Sequence, residues 1–231
     1  PYSVWLSEII LQQTKIQQGL PYYSLFIERY PNVTSLSEAN EQDILKLWEG
    51  LGYYSRARNL HKTAKIIVSD YNGIFPTTYS ELLNLPGIGK YTASAVSSIC
   101  FEEKKAVLDG NVFRLLSRYF NIDTPINSSL GIKSFEKLSF ELLPKVNIGD
   151  HNQALMDFGS TICKPKLANC DVCVLQDGCS AHSNNKIYLL PVKTKKTKVK
   201  ILHFNFLIFI SSDNQTIICL LYTSDAADEI V

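Results

Sequence analysis

Four of the six cysteines stand at Cys163, Cys170, Cys173 and Cys179, and this C-x6-C-x2-C-x5-C run narrows what the chain can fold into more than any other feature. Thiols this close in sequence, with Pro165, Asp171 and Gly178 among them, can wrap a single centre. An all-thiolate set suits either zinc or an iron-sulfur cluster, and spacing alone does not separate the two. Two disulfides would also use four cysteines. That reading is weaker, because Cys100 and Cys219 lie in apolar runs and nothing else points to an oxidising compartment.

At 231 residues and 45% hydrophobic, the chain has apolar surface for one large or two small cores. The most apolar stretch, Ile201 to Ile210, carries His203 and Asn205 and is too short for the ~20 residues that cross a bilayer, so no membrane partner is expected. No basic, apolar leader precedes Pro1, which reads as a fragment boundary rather than a secretion signal. A formal net charge of +1 does not announce nucleic-acid binding, so any basic face has to be local. Lys193, Lys195, Lys196, Lys198 and Lys200 form one such cluster, which reads as a solvated linker over residues 186–200.

Up to about residue 160 the apolar residues recur at three- and four-residue spacing, the mark of a mainly α chain. Asn40 starts one helix, whose Ile44, Leu47, Trp48 and Leu51 share a face before Gly50 and Gly52 end it. Thr78 and Glu81 form a capping box for a helix from Thr78 to Leu85, which runs into Pro86-Gly87-Ile88-Gly89 and a further helix from Lys90 to Cys100. Glycines at such a hairpin let backbone N–H groups approach a phosphate, and the second helix offers the same anion its positive end. This grips duplex DNA without reading its sequence. A plain helix–helix connection would look the same. Beyond the lysines, Ile201–Ile210 and Thr216–Leu221 flank a turn and read as a β-hairpin.

Together these features resemble the helix-hairpin-helix glycosylases of the endonuclease III superfamily. Three stretches carry the likeness to the MutY-type adenine DNA glycosylases: VWLSEIILQQT (Val4–Thr14), GLGYYSRARNL (Gly50–Leu60) and LDGNV (Leu108–Val112). The resemblance implies a mainly α, helix-hairpin-helix DNA glycosylase domain over residues 1–185, with a 4Fe-4S cluster held in the 163–179 loop by Cys163, Cys170, Cys173 and Cys179. It implies the start of a β-containing, MutT-like C-terminal domain over residues 201–218. The implied partner is double-stranded DNA containing adenine opposite 8-oxoguanine or guanine, and the implied protein is a monomer at the bacterial nucleoid, in the cytoplasm. In the family, side chains matching Gln13 and Tyr53 enter the duplex as the base leaves it, while Gly87, Gly89 and Lys90 belong to the hairpin that holds the backbone. From the residues alone, Tyr53 could equally be a core tyrosine, Gln12 and Gln13 a polar helix face, and Lys164 and Lys166 ordinary exposed lysines.

Breaking an N-glycosidic bond to adenine leaves positive charge on the sugar and negative charge on the base, so the chemistry wants an acid for the base and an anion near the sugar. The resemblance assigns these roles to Glu8 and Asp109, with Tyr91 and Asn111 in support. Glu8 sits among Val4, Trp5, Leu6, Ile9, Ile10 and Leu11, and apolar surroundings raise a carboxyl pKa. Asp109 has a local role as well, as the N-cap of a helix from Val112 to Phe120. Tyr91 separates the family's branches: strand-nicking members carry a lysine there that forms a Schiff base with the sugar. Lys90, one residue away, points about 100 degrees elsewhere on a helix. The expectation is a monofunctional glycosylase; the competing readings are an endonuclease III-like pyrimidine glycosylase/lyase and a non-catalytic, metal-stabilised DNA-binding module. The run Cys219–Glu229 matches the translation of a sequencing-library adapter, and residues 219–231 are expected to be a non-native tail.

Overall fold

The structure is a computed structural model, and it describes residues 1–194, 205–213 and 215–221. The chain divides into two units, Pro1–Thr194 and Lys195–Val231. The lysine run from Lys195 onward and the tail beyond Leu221 lie outside the described residues.

The first unit is helical: α1 Tyr2–Leu11, α2 Ile16–Arg29, α3 Val33–Ser37, α4 Glu41–Leu47, α5 Ser55–Tyr71, α6 Tyr79–Leu83, α7 Lys90–Phe101, α8 Gly110–Tyr119, α9 Ser129–Glu141, α10 Ile148–Thr161 and α11 Ser180–Ser183. α1 carries Trp5, Leu6, Ile9 and Ile10 into the larger core, where the Trp5 ring meets Phe75 edge-on at 5.4 Å. Side chains of this size each contribute about 1.5–3 kcal/mol when fully buried, which ties α1 firmly to α5 and α7. A second core joins Ala95 of α7, Val112 and Leu116 of α8, Phe135 of α9 and Met156 of α10. The acid-bearing helix and the aspartate-bearing helix thus belong to different cores, and α7 borders both.

The helix starts follow their caps. Asn40 accepts from the Gln42 amide, Thr78 from Glu81, Asp109 from Val112 and Ser128 from Gly131. The helix expected from Thr78 to Leu85 stops at Leu83, because a residue before proline is pushed out of the helical region and Leu85 precedes Pro86. Likewise α4 ends at Leu47; Trp48 and Leu51 are buried all the same, through the turn that follows. At the other end of α7, Glu102 adopts φ +55 and turns its carboxylate onto α10, accepting from the Ile148 amide at 2.8 Å and the Gly149 amide at 3.2 Å.

Residues 186–194, read from the sequence as the opening of a linker, pack back on the helical unit. The Leu190 carbonyl accepts from Arg118 Nε at 3.1 Å, the Val192 carbonyl from the Ile126 amide at 3.0 Å, and the Thr194 carbonyl from Asn127 at 2.9 Å. In the second unit, β1 Asn205–Ile210 and β2 Thr216–Leu221 form an antiparallel hairpin with Ile210 opposite Thr216. The strand begins at Asn205; positions 201–204 lie outside the described residues.

Candidate active site and cysteine centre

Glu8, Tyr91, Asp109 and Asn111 come together on one cleft of about 440 Å³, although they arrive from α1, α7 and the start of α8. Burial pushes the Glu8 carboxyl above the ordinary range; the neighbouring Tyr91 hydroxyl opposes this shift and the charge of Asp109 adds to it. The Tyr91 phenol is driven far upward, first by burial and then by Glu8, so it stays a neutral donor. Its oxygen also lies 3.4 Å from Met156 Sδ. Lys90, at the first position of α7, is exposed and does not line this cleft.

Asp109 caps α8, as expected, and also lines the cleft. One carboxylate oxygen accepts from the Val112 amide at 2.7 Å and caps α8; the other accepts from Asn111 Nδ2 at 2.6 Å and belongs to the cleft wall. Asn111 is held in turn, because its Oδ1 accepts from Arg114 Nη2 at 2.8 Å. The approach to Asp109 is fixed by Asn152, fully buried on α10, which accepts from the Val107 amide and donates to the Lys105 carbonyl and Ser98 Oγ. Gly159 lets the helices close: a Cβ there would lie 2.7 Å from Asn111 Cβ and 2.9 Å from its carbonyl oxygen.

The segments carrying Gln13, Tyr53 and Gly87 meet near the C-terminal end of α1. Gln13 follows the C-cap of α1 at φ +55, and Tyr53, 67% exposed, precedes α5 at φ +48. Non-glycine residues seldom adopt this left-handed backbone, and where they do the surroundings hold them there. Gly87 turns the hairpin at φ +75 and rests on Asn59 of α5, where a Cβ would come within 2.8 Å of the Asn59 Cβ. Nothing lies within 4 Å of a Cβ built on Gly89, the N-cap of α7, so its side is open to an incoming anion. Gln12 Nε2 reaches the Gly87 carbonyl at 3.4 Å, linking α1 to the hairpin.

The four cysteines of the 163–179 loop line a single cavity with Tyr119 and His182. Burial raises the Cys170 thiol, and the three neighbouring thiols raise it further. Arg118 Nη1 stands 3.4 Å from Cys163 Sγ and donates to the Lys164 carbonyl at 2.8 Å, while Nη2 donates to the Pro165 carbonyl at 3.0 Å. Gly178 passes close over Tyr119, whose oxygen lies 2.6 Å from where a Cβ would stand. Among the described residues no three histidines, cysteines or carboxylates close on a point as a single metal ion requires. Lys164 and Lys166 are exposed.

Sequence reasoning missed Arg56, Arg114, Arg118, Asn152 and Gly159. The two arginines of α8 are four apart, and a buried arginine satisfied by carbonyls looks in sequence like one on a solvated face. Their signal was positional: Arg114 stands three residues after Asn111 on a helix, where side chains meet.

Residues 6–138 match the model of the HhH-GPD superfamily base excision DNA repair proteins. The chain is 44% identical over 199 residues to an adenine DNA glycosylase of Buchnera aphidicola subsp. Baizongia pistaciae, covering 86% of this chain and 56% of the relative. The chain thus spans about half the length of the curated relatives it matches. Among solved structures it is similar to a thermostable thymine-DNA glycosylase, with a TM-score of 0.71 and 31% identity over 80% of this chain and 85% of that one. An endonuclease III–DNA complex shares the fold, with a TM-score of 0.67 and 22% identity over 79% of this chain and 84% of that one.

Proposed function

The chain belongs to the HhH-GPD superfamily of base excision DNA repair proteins, and from that premise we propose that it is the catalytic part of a monofunctional adenine DNA glycosylase. Its substrate is double-stranded DNA containing adenine opposite 8-oxoguanine or guanine, and it works as a monomer on the chromosome, at the bacterial nucleoid. The observation that carries this reading is the placement of Glu8, with its raised pKa, and Asp109 on one cleft, with Tyr91 rather than a lysine between them.

In this reading the flipped adenine enters the cleft, and Glu8 gives a proton to N7 as the bond to the sugar stretches. A carboxyl whose pKa is raised by burial is a group suited to that step. Asp109, fixed by the Val112 amide and Asn111, faces the cationic sugar, and a preorganised anion there costs no reorganisation as charge develops. Tyr91 orients Glu8. With no amine on the cleft wall at that position, water takes the sugar and the strand stays whole.

The loop thiols fit a 4Fe-4S cluster. They are four, they line one cavity, and an all-thiolate set is what such a cluster takes. Cys163, Cys170, Cys173 and Cys179 would hold it, and its contribution there is to tie the loop to Tyr119 and α8. The β1–β2 hairpin is the opening of a MutT-like domain in this account.

The test is base release from a duplex holding adenine opposite 8-oxoguanine. Strand breaks that need alkali support the reading; efficient cutting without alkali indicates a lyase, and no release at all with retained DNA binding indicates a non-catalytic module.

A further inference from the structure

We propose that Arg56 is a positioning residue that locks the two duplex-entering side chains, Gln13 and Tyr53, to the end of α1, so that the base is extruded against a wedge of fixed geometry. The proposal rests on the glycosylase reading above.

Arg56 is the second residue of α5. Its Nη1 donates to the Gln12 carbonyl at 2.5 Å and the Ile10 carbonyl at 3.1 Å, with the Ile9 carbonyl and Thr14 Oγ1 each at 3.3 Å. Its Nη2 donates to the Leu51 carbonyl at 3.1 Å and the Gly52 carbonyl at 3.3 Å. The guanidinium carbon lies 5.1 Å from the Trp48 ring centre and 5.9 Å from that of Tyr53. No carboxylate pairs with it in the ion pairs formed among the described residues. The charge is met instead by the carbonyls at the C-terminal end of α1, the negative end of the helix dipole.

What those carbonyls precede is the point. Gln12 is followed by Gln13 and Gly52 by Tyr53, both left-handed. One planar cation therefore holds the peptide unit leading into each unfavourable backbone position, and flanks the Tyr53 ring as well. It also grips α1 directly after Glu8, at Ile9 and Ile10. The wedge loop and the filling side chain thus share one joint at the end of α1. A fork with two terminal nitrogens on a plane is needed to reach both sets of carbonyls, and the compact ammonium of a lysine cannot do so or stack on Trp48.

The experiment compares wild type with Arg56→Lys, in single turnover, on two duplexes: adenine opposite guanine, and adenine opposite an abasic-site analogue, where the base is already unpaired and extrusion is easier. The ratio of the two observed rate constants, taken on one preparation, does not depend on the folded fraction. Arg56→Lys is expected to lower the rate on the paired duplex by about tenfold or more, and on the abasic duplex by no more than about threefold. In a Tyr53→Ala background the same substitution is expected to change the paired rate little. An equal loss on both duplexes, a wild-type rate on both, or full additivity with Tyr53→Ala overturns the proposal. If wild type releases adenine from neither duplex, the glycosylase reading fails instead.

Discussion

Asn111 Nδ2 donates to Asp109 Oδ2 at 2.6 Å, while the other face of the Asn111 amide accepts from Arg114 at 2.8 Å. An amide fixed at both ends has no freedom to swing, so the carboxylate it holds is fixed too. Arg114 also donates to the Gly159 carbonyl at 2.6 Å and the Cys163 carbonyl at 2.7 Å, so the orientation of Asp109 depends on α10 and on the first residue of the cysteine loop.

Replacing Asn111 by Ala frees one oxygen of Asp109 and leaves an Arg114 N–H without its acceptor. Base release is expected to fall by about ten- to a hundredfold while DNA binding is kept, because the lost contact serves charge that forms only in the transition state. Single-turnover rates and binding isotherms on the same duplex separate the two effects.

Gly159→Ala places a methyl group 2.7 Å from Asn111 Cβ. Overpacking at such a contact costs about 1–3 kcal/mol, and here the strain falls on the residue that aims Asp109. Thermal unfolding is expected to show a lowered Tm, with a rate loss beyond what the unfolded fraction explains.

Glu8 links activity and stability to pH with the same sign, both falling as pH rises through its raised pKa. Its folded-state pKa is raised by burial above the unfolded value, so its favourable share of stability is present below the ordinary glutamate range and lost as pH rises through the raised value. Glu8→Gln removes a carboxylate that is costly to bury at neutral pH. The variant is expected to be more stable than wild type at neutral pH, with the difference closing at low pH, as Tm measured across pH will show. Wild-type base release is expected to decline on the alkaline side as Glu8 deprotonates.

Cys173→Ser removes one wall of the cavity that the four cysteines share. With a cluster in place the purified wild type is expected to be brown, and the variant paler, less stable and weaker on DNA, because all ligands are needed to close the loop. A colourless wild type holding one zinc would contradict the cluster.

The candidate residues could be picked out because short motifs carry them: Glu8 and Asp109 were singled out by the resemblance of VWLSEIILQQT and LDGNV to a known family, since a lone glutamate in an apolar helix or an aspartate at a helix cap does not by itself announce a role. The helix starts were legible from local bonding, since Asn40, Thr78 and Asp109 bond to amides two or three residues on. What holds the site was not. Arg56 reaches from α5 to the end of α1, 44 residues away at the Gln12 carbonyl, and Asn152 reaches Val107 across 45. Such pairings depend on how helices pack, and no local periodicity encodes them.

The account stands most directly on Glu8→Gln assayed for adenine release under single turnover, with DNA binding measured on the same preparation. Glutamine keeps the shape but has no proton to deliver. The predicted result is binding near wild type with release reduced by about a hundredfold or more; near-normal release from the bound complex would contradict Glu8 as the acid and, with it, the reading of the cleft as the site of base removal.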